Sequence, residues 1–430
     1  MLPLIAALAT PLGHSALAVV RLSGVGLDRA LIAVCGRVPP ARRASVVALR
    51  DAGGTFDDAV LTVFPGPNSY TGEDVAEVSC HGNPLIVERL LGALIAAGAQ
   101  VASPGEFTRR ALANGRIDLV GAEGVLATIG ATSPAGLELA RAGPALRDRA
   151  EGLRSRLLDV AAELEAILDY PGEDLLFSTD DEITRTLGGV ALEARTVAGG
   201  WRAGRVALDG ARVALIGEVN AGKSSLFNAL LGRERALVSP IPGTTRDVVE
   251  STLQLPGGRI VLMDTAGERE APGDVGGLEA AGIAMGRASR DLADLRILCL
   301  PATGEGRGEA AEPCLRVATQ ADRARPGFAC DFVVSSVTGE GIDALRDALL
   351  PSITGLATDS EAIVSSARQR DVLLRIAGAA EDAARALIEA GPAVAVTDLA
   401  AAIGHAGAMS GRDAGEDVLD RLFARFCVGK

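Results

Sequence analysis

The chain has 430 residues, 48% of them apolar, so roughly two or three domains with ordinary cores are expected. A net charge of −13 and an aromatic content of 3% exclude a broad, self-sufficient nucleic-acid face, which draws on clustered cations and stacking rings. Six cysteines without a C-x-x-C pair, and only three histidines, argue against a zinc site and for a reducing cytosol.

The start, Met1-Leu2-Pro3-Leu4, lacks both a basic signal region and an apolar span, so a cytoplasmic protein without membrane contact is expected. Residues 1–117 read as a mixed block: strands over 16–22 and 59–64, and an amphipathic helix over 85–97. Turn signals punctuate it at Pro-Gly-Pro-Asn (65–68) and Ser-Pro-Gly (103–105). The basic pairs Arg42-Arg43 and Arg109-Arg110 read as solvated surface charge. Residues 118–207 are rich in Ala, Leu, Glu and Arg at helical spacing, with a break at Tyr-Pro-Gly (170–172). Residues 208–358 alternate strand and helix, the doubly wound pattern that binds ligands at strand ends. Helical character returns over 359–430. The fold class is therefore multidomain, α+β followed by α/β, with the α/β block inserted into a discontinuous helical domain. The stretch 301–313 is rich in Gly and Glu and is expected to be a flexible loop replacing a helix.

Within the inserted block, Gly-Glu-Val-Asn-Ala-Gly-Lys-Ser (217–224) is a complete G-x-x-x-x-G-K-S loop. A short apolar strand precedes it over 212–216, and a helix follows over 225–231, stopping at Gly232. The glycines let the backbone wrap a phosphate, with Asn220, Ala221, Gly222 and Ser225 contributing loop and helix-start N–H groups. Lys223 is expected to reach the β/γ-phosphates and Ser224 to hold Mg²⁺. Downstream come Pro-Gly-Thr-Thr-Arg-Asp (242–247) and, after a strand, Asp264-Thr265-Ala266-Gly267. A threonine in the first segment completes the Mg²⁺ shell; the aspartate holds a metal-bound water and Gly267 meets the γ-phosphate. Together they make a loop pair that orders on the triphosphate.

Guanine-reading proteins present Asn-Lys-x-Asp after the next strand. Here Thr319-Gln320-Ala321-Asp322 stands in that place. Asp322 retains the bidentate acceptor for guanine's N–H donors. Losing one side-chain contact at Thr319 costs about 1–3 kcal/mol. The loop from Ser335-Ser336 to Gly341, after a strand over 331–334, is expected to close over the base. The pattern favours GTP over ATP.

Five strings in order carry a resemblance. They are Ile-Ala-Ala-Leu-Ala-Thr-Pro (5–11) with Val-Val-Arg-Leu-Ser-Gly (19–24), and Pro-Gly-Pro-Asn-Ser-Tyr-Thr-Gly-Glu-Asp (65–74). Next come Cys-His-Gly (80–82), Pro-Gly-Glu-Phe-Thr-Arg-Arg-Ala (104–111) and the closing Phe-Cys-Val-Gly-Lys (426–430). With the GTPase motifs, the chain resembles the tRNA modification GTPase MnmE (TrmE) family over essentially its whole length. The resemblance implies an N-terminal domain that forms a homodimer and binds 5-formyl- or methylene-tetrahydrofolate. It also implies a potassium-stimulated GTPase domain, an FAD-dependent MnmG-type partner, and tRNA carrying a 5-carboxymethylaminomethyl wobble uridine as product.

Carried over residue by residue, the resemblance implies a folate pocket at Arg21, Glu77, Arg116 and Lys430. Cations suit the glutamate tail and a carboxylate suits the pterin N–H edge. Cys427 resembles a functionally sensitive cysteine, with buried packing an equal reading. The implied potassium site uses Asn220 with oxygens from Ser239, Ile241 and Thr244; Mg²⁺ falls to Ser224 and Thr245. The implied catalytic acid is Glu279, ahead of Gly282-Ile283, with Glu268 and Glu270 as competitors. No arginine finger is evident, and Arg246 is the available guanidinium. Two rival readings are a nucleotide-gated switch with feeble hydrolysis and a ribosome-assembly GTPase; the second leaves the N-terminal strings and the tail without an explanation.

Overall fold

The computed structural model describes residues 2–169, 178–232, 249–255, 258–264, 293–308, 311–354, 363–411 and 415–430. The expected site residues Ser239, Ile241, Thr244, Thr245, Arg246, Thr265, Ala266, Gly267 and Glu279 lie outside these, as do Glu268, Glu270 and the break at 170–172. The chain forms two compact units: Met1–Leu126 with Arg147–Val190 and Gly378–Lys430, and Ala127–Leu146 with Ala191–Ala377.

The first unit is built on a six-stranded sheet in the order β3-β4-β5-β2-β1-β6. The strands are β1 (Ile5–Leu8), β2 (Ser15–Ser23), β3 (Ser45–Asp51), β4 (Gly54–Phe64), β5 (Val75–Gly82) and β6 (Gln100–Val101). Every pairing is antiparallel except β1 with β6. Successive strand residues point to opposite faces, and this alternation separates a core from a site. Ala18, Val20 and Leu22 of β2, with Ala76, Val78 and Cys80 of β5, join the main core with α1 (Leu27–Cys35) and α2 (Pro84–Ala96). The intervening Arg21 and Glu77 therefore stand on the opposite face, and they are paired in register. Ile5 and Ala7 of β1 meet Phe107 of α3 (Glu106–Ala113) in a second, smaller core, with Tyr70 packed against it.

Helices α4 (Leu119–Gly130), α5 (Pro134–Ala140), α6 (Gly143–Asp169), α7 (Asp180–Gly199) and α8 (Trp201–Asp209) follow. After the second sheet come α11 (Ala367–Ala390), α12 (Pro392–Ser410) and α13 (Glu416–Phe423), with α9 and α10 introduced below. Leu119 and Ala122 of α4 pack with Leu422, Phe423 and Phe426, which fixes the C-terminal tail against the first unit. Among the described residues α12 is long and apolar enough to cross a membrane by length and composition alone. It buries Ala395, Leu399, Ala402, Ala406 and Met409 in the protein.

The second unit holds a sheet in the order β12-β11-β10-β7-β9-β8. Its strands are β7 (Ala211–Ile216), β8 (Val249–Leu255), β9 (Gly258–Asp264), β10 (Leu295–Pro301), β11 (Cys314–Thr319) and β12 (Phe332–Val333). All neighbours are parallel except β8 with β9. β7 lies centrally and its interior residues are buried, as its unbroken apolar run requires. After it the chain turns first to β9 on one side and later to β10 on the other, so β7 marks the switch point where such sheets bind ligands. α9 (Lys223–Leu231) begins two residues earlier than the spacing predicts, and β12 is shorter than the expected strand. α10 (Ile342–Thr354) adds Leu345 and Leu349 to the core beneath. Between β10 and β11 the described residues contain no helix. The connection is tied down by Arg316, whose Nη2 donates to the carbonyl of Gly306 at 2.8 Å, and by Ala302 N–H on the carbonyl of Thr319 at 2.8 Å.

One sequence expectation fails for a packing reason. Arg109 is surface charge, 43% exposed and paired with Asp420, but Arg110 is 3% exposed. Its guanidinium donates to Glu73 at 3.1 Å, Glu106 at 2.7 Å and the carbonyl of Pro3 at 2.9 Å. Ser23 adds a hydroxyl on Glu73 at 2.7 Å. The helical period of α3 turns adjacent arginines to different faces, and the inner one binds α3, β2 and the 65–74 loop together. Arg110→Ala strands two carboxylates and is expected to destabilise the first unit by about 3–5 kcal/mol, whereas Arg109→Ala costs about 1 kcal/mol or less. Urea denaturation followed by circular dichroism checks this: a large fall in midpoint for the first variant and almost none for the second.

Candidate nucleotide and anion sites

The phosphate loop is shaped by three left-handed residues: Gly217 (φ 139), Asn220 (φ 63) and Gly222 (φ 85). Gly217 has no alternative, since a Cβ there falls 2.5 Å from the carbonyl oxygen of Cys299. The turn closes through Ala221 N–H on Glu218 O at 3.2 Å, and Leu226 N–H on Gly222 O at 2.9 Å starts the regular helix. The N–H groups ahead of it have no intrahelical acceptor and line an anion cradle on the positive end of α9. Lys223 is 9% exposed. Its ammonium donates to the carbonyls of Gly217 at 2.9 Å and Glu218 at 2.8 Å. An ammonium has three donors, so one remains for an incoming oxygen. Ser224 and Ser225 are exposed at the helix start.

Asp264 ends β9, 7% exposed and in register beside Leu215 of β7. Beneath the loop, burial pushes the Cys299 thiol up to about 12; Lys223 opposes that shift and Asp264 adds to it, so these groups share one electrostatic neighbourhood. Thr319 ends β11, and its Oγ1 donates to the carbonyl of Ala221 at 2.7 Å. Gln320 (φ 58) follows, with Nε2 on the carbonyl of Asn220 at 3.0 Å. Ser335 is fully buried and donates to Asp322 Oδ1 at 2.7 Å, while its own oxygen accepts from Val337 and Thr338 N–H. Ser336 is next to it and half-buried. Thus Asn220, Ala221, Gly222, Lys223, Ser224, Ser225, Asp264, Thr319, Asp322, Ser335 and Ser336 gather at the carboxyl edge of one sheet. The roles differ from simple contact: Ser335 positions the Asp322 carboxylate rather than facing outward.

On the open face of the first sheet, Arg21 donates twice to Glu77 Oε1, from Nη2 at 2.7 Å and Nε at 3.0 Å, and once to the carbonyl of Gly429 at 3.2 Å. Its guanidinium lies 5.4 Å from the Tyr70 ring centre and 5.9 Å from that of Phe107. Lys430 Nζ is 6.0 Å from the same tyrosine ring. Burial, and then Arg21, lower the Lys430 ammonium below its ordinary value. The tail enters through Gly429 (φ 98), where a Cβ falls 2.4 Å from Leu8 O. Arg116 packs its side chain on Gly72, next to Thr71, whose carbonyl accepts from Asn114 at 2.7 Å. Cys427 is exposed rather than packed.

The structure thus adds Tyr70 and Phe107 to the expected set. Tyr70 is one of only two tyrosines in the chain, and its hydroxyl is held by Thr108 at 2.8 Å. That scarcity, inside the 65–74 string, was the available signal.

Two family models match the chain: "GTP-binding protein TrmE N-terminus" over residues 4–116, and "MnmE helical domain" over residues 119–427, a span that encloses the β7–β12 sheet. The proteins curated as "tRNA modification GTPase MnmE" from Thermus thermophilus and a Roseiflexus species are 40% and 39% identical, each alignment covering 99% of both chains. The corresponding Myxococcus xanthus protein is 40% identical over 99% of this chain and 98% of its own. With motifs, fold and near-complete alignment in agreement, this chain belongs to the TrmE/MnmE family of tRNA modification GTPases.

Proposed function

We propose that the protein hydrolyses GTP and couples that hydrolysis to modification of wobble uridine in tRNA. The observation that supports this most is the gathering of a phosphate cradle, a buried strand-end carboxylate and a base loop on one sheet edge. Lys223 neutralises charge on the terminal phosphates, and the helix-start N–H groups fix their position. Ser224 and Thr245 are the residues that would hold Mg²⁺. An exposed hydroxyl with a nearby buried carboxylate fits an ion that keeps few protein ligands and takes the rest from phosphate and water. That ion neutralises charge developing on the transferred phosphoryl group. Asp264 is proposed to hold the ion's water, and Thr265, Ala266 and Gly267, which follow it in sequence, to serve the γ-phosphate. Glu279 is proposed as the residue that orients the attacking water, and Arg246 as a further cation for the transition state.

Asn220 suits an oxygen ligand for K⁺, with Ser239, Ile241 and Thr244 completing the set. A K⁺ held there would supply positive charge to the phosphates. In the first unit, Arg21 and Lys430 share one aromatic ring with Glu77 beside them. Two neighbouring cations repel, and a polyanionic ligand relieves that repulsion; the glutamate tail of a tetrahydrofolate, with Arg116 on the rim, fits. The folate supplies a one-carbon unit when bound. A homodimer, an FAD-dependent MnmG-type partner and a 5-carboxymethylaminomethyl product complete the proposal. With a net charge of −13, the chain needs such a partner for much of its grip on tRNA. A second reading, a nucleotide-gated switch with weak hydrolysis, draws support from Thr319 and Gln320 in the base loop.

Nucleoside analysis of tRNA from a deletion strain tests the pathway. Wobble uridine is expected to lose its modification, to regain it with the wild-type chain, and to stay unmodified with Lys223→Ala or Arg21→Ala at equal protein level. Unchanged modification in the deletion strain refutes the proposal. Hydrolysis tests the cation site: GTP turnover is expected to be faster in K⁺ than in Na⁺ at matched ionic strength, by at least about tenfold, the size of one well-placed charge in the transition state. Equal slow rates in both salts remove the cation site and favour the switch.

A further inference from the structure

The first position of the base loop holds a hydroxyl where guanine-reading loops hold a carboxamide, and the two differ in how many protons they offer. A threonine hydroxyl has one donor; an asparagine amide has two, plus an acceptor. Thr319 is 1% exposed, and its Oγ1 lies 2.7 Å from the carbonyl oxygen of Ala221. A carbonyl cannot donate, so the single hydroxyl proton sits between these oxygens and is committed to the phosphate loop. An asparagine there ties to the loop with one N–H and keeps a second for the imidazole nitrogen of a purine. The neighbouring Gln320 uses one amide proton on Asn220 O at 3.0 Å, and its Oε1 accepts from Arg323 at 3.4 Å, which ties this side chain to the loop and leaves it a second amide proton. Ser335 directs its proton to Asp322. The Asp322 carboxylate keeps acceptor capacity for the N–H donors of a base, because one oxygen is not engaged by Ser335.

We propose that Thr319, its one proton committed to Ala221, gives guanine's N7 no hydrogen bond, and that Asp322 reads the base through the N1–H and N2–H donors. The proposal rests on the guanine-nucleotide reading above and narrows it. Discrimination against adenine falls to Asp322, and Thr319 leaves the imidazole side of the purine unread.

Calorimetric titration of the full chain in Mg²⁺ with GDP and with 7-deaza-GDP, in which C–H replaces N7, tests this. The two are expected to bind the wild-type chain within about twofold of each other. Thr319→Asn is expected to open a gap of about five- to tenfold against 7-deaza-GDP, the worth of one regained hydrogen bond. A tenfold weaker 7-deaza-GDP on the wild-type chain overturns the proposal. So does a folded Thr319→Asn variant that binds both alike. If that variant does not fold, the wild-type comparison decides alone. Failure of GDP itself to bind overturns the guanine reading and the proposal with it, which is a different result from a GDP site sensitive to N7.

Discussion

The second unit depends on a place where the backbone has no room for a side chain. Gly217 leaves β7 so close to the carbonyl of Cys299 that a Cβ there would fall 2.5 Å from its oxygen. From that pinned start the chain passes through left-handed Asn220 and Gly222, which turns its N–H groups inward. Lys223 then bridges the carbonyls of Gly217 and Glu218, so the ammonium proposed to meet the ligand also holds the loop. Thr319 and Gln320 fasten the far side. Contacts within the protein thus hold the loop in shape on both sides.

The opposite edge of the same sheet is fixed by charge. Asp294, buried at the start of β10, accepts from the Arg212 N–H of β7 at 2.8 Å and pairs with Arg205 of α8. Arg202 adds a hydrogen bond to its carbonyl at 2.9 Å. A buried carboxylate with several donors is strongly held, because losing any partner leaves it unsatisfied. The result is that α8, β7 and β10 are tied together at the sheet's amino edge, while the candidate ligand site lies at its carboxyl edge. The helix preceding the insertion is therefore mechanically continuous with the strand that carries the phosphate loop.

Much of this was legible in the sequence, and the reason is periodicity. β2, α2 and the second half of β4 fall where alternation and helical spacing place them, because one face of each is buried, whereas β7 was legible as an unbroken apolar run buried on both faces. The phosphate loop was legible because its glycines and lysine are demanded by local geometry at fixed spacing. Arg110 was not: its burial depends on Glu73 and Pro3, far away in sequence, and a helical Arg-Arg pair looks the same whether one or neither faces inward. The role of Ser335 behind Asp322 was hidden for the same reason. Tyr70 and Phe107 were visible as residues but not as partners of Arg21, since ring-to-cation contacts arise only when β2, α3 and the 65–74 loop meet. The lack of a helix among the described residues between β10 and β11 was legible as missing apolar content; what ties that connection down, Arg316 on Gly306, was not.

The central claim is that the carboxyl edge of the second sheet is a guanine-nucleotide site organised by Lys223. Equilibrium titration of the full chain with GDP and ADP in Mg²⁺, for wild type and Lys223→Ala, tests it most directly. The account predicts saturable GDP binding at one site per chain, weakened about tenfold or more by Lys223→Ala through loss of a charge-assisted hydrogen bond, and no ADP binding at concentrations that saturate GDP. Equal affinity for ADP and GDP, or GDP binding untouched by Lys223→Ala, contradicts it.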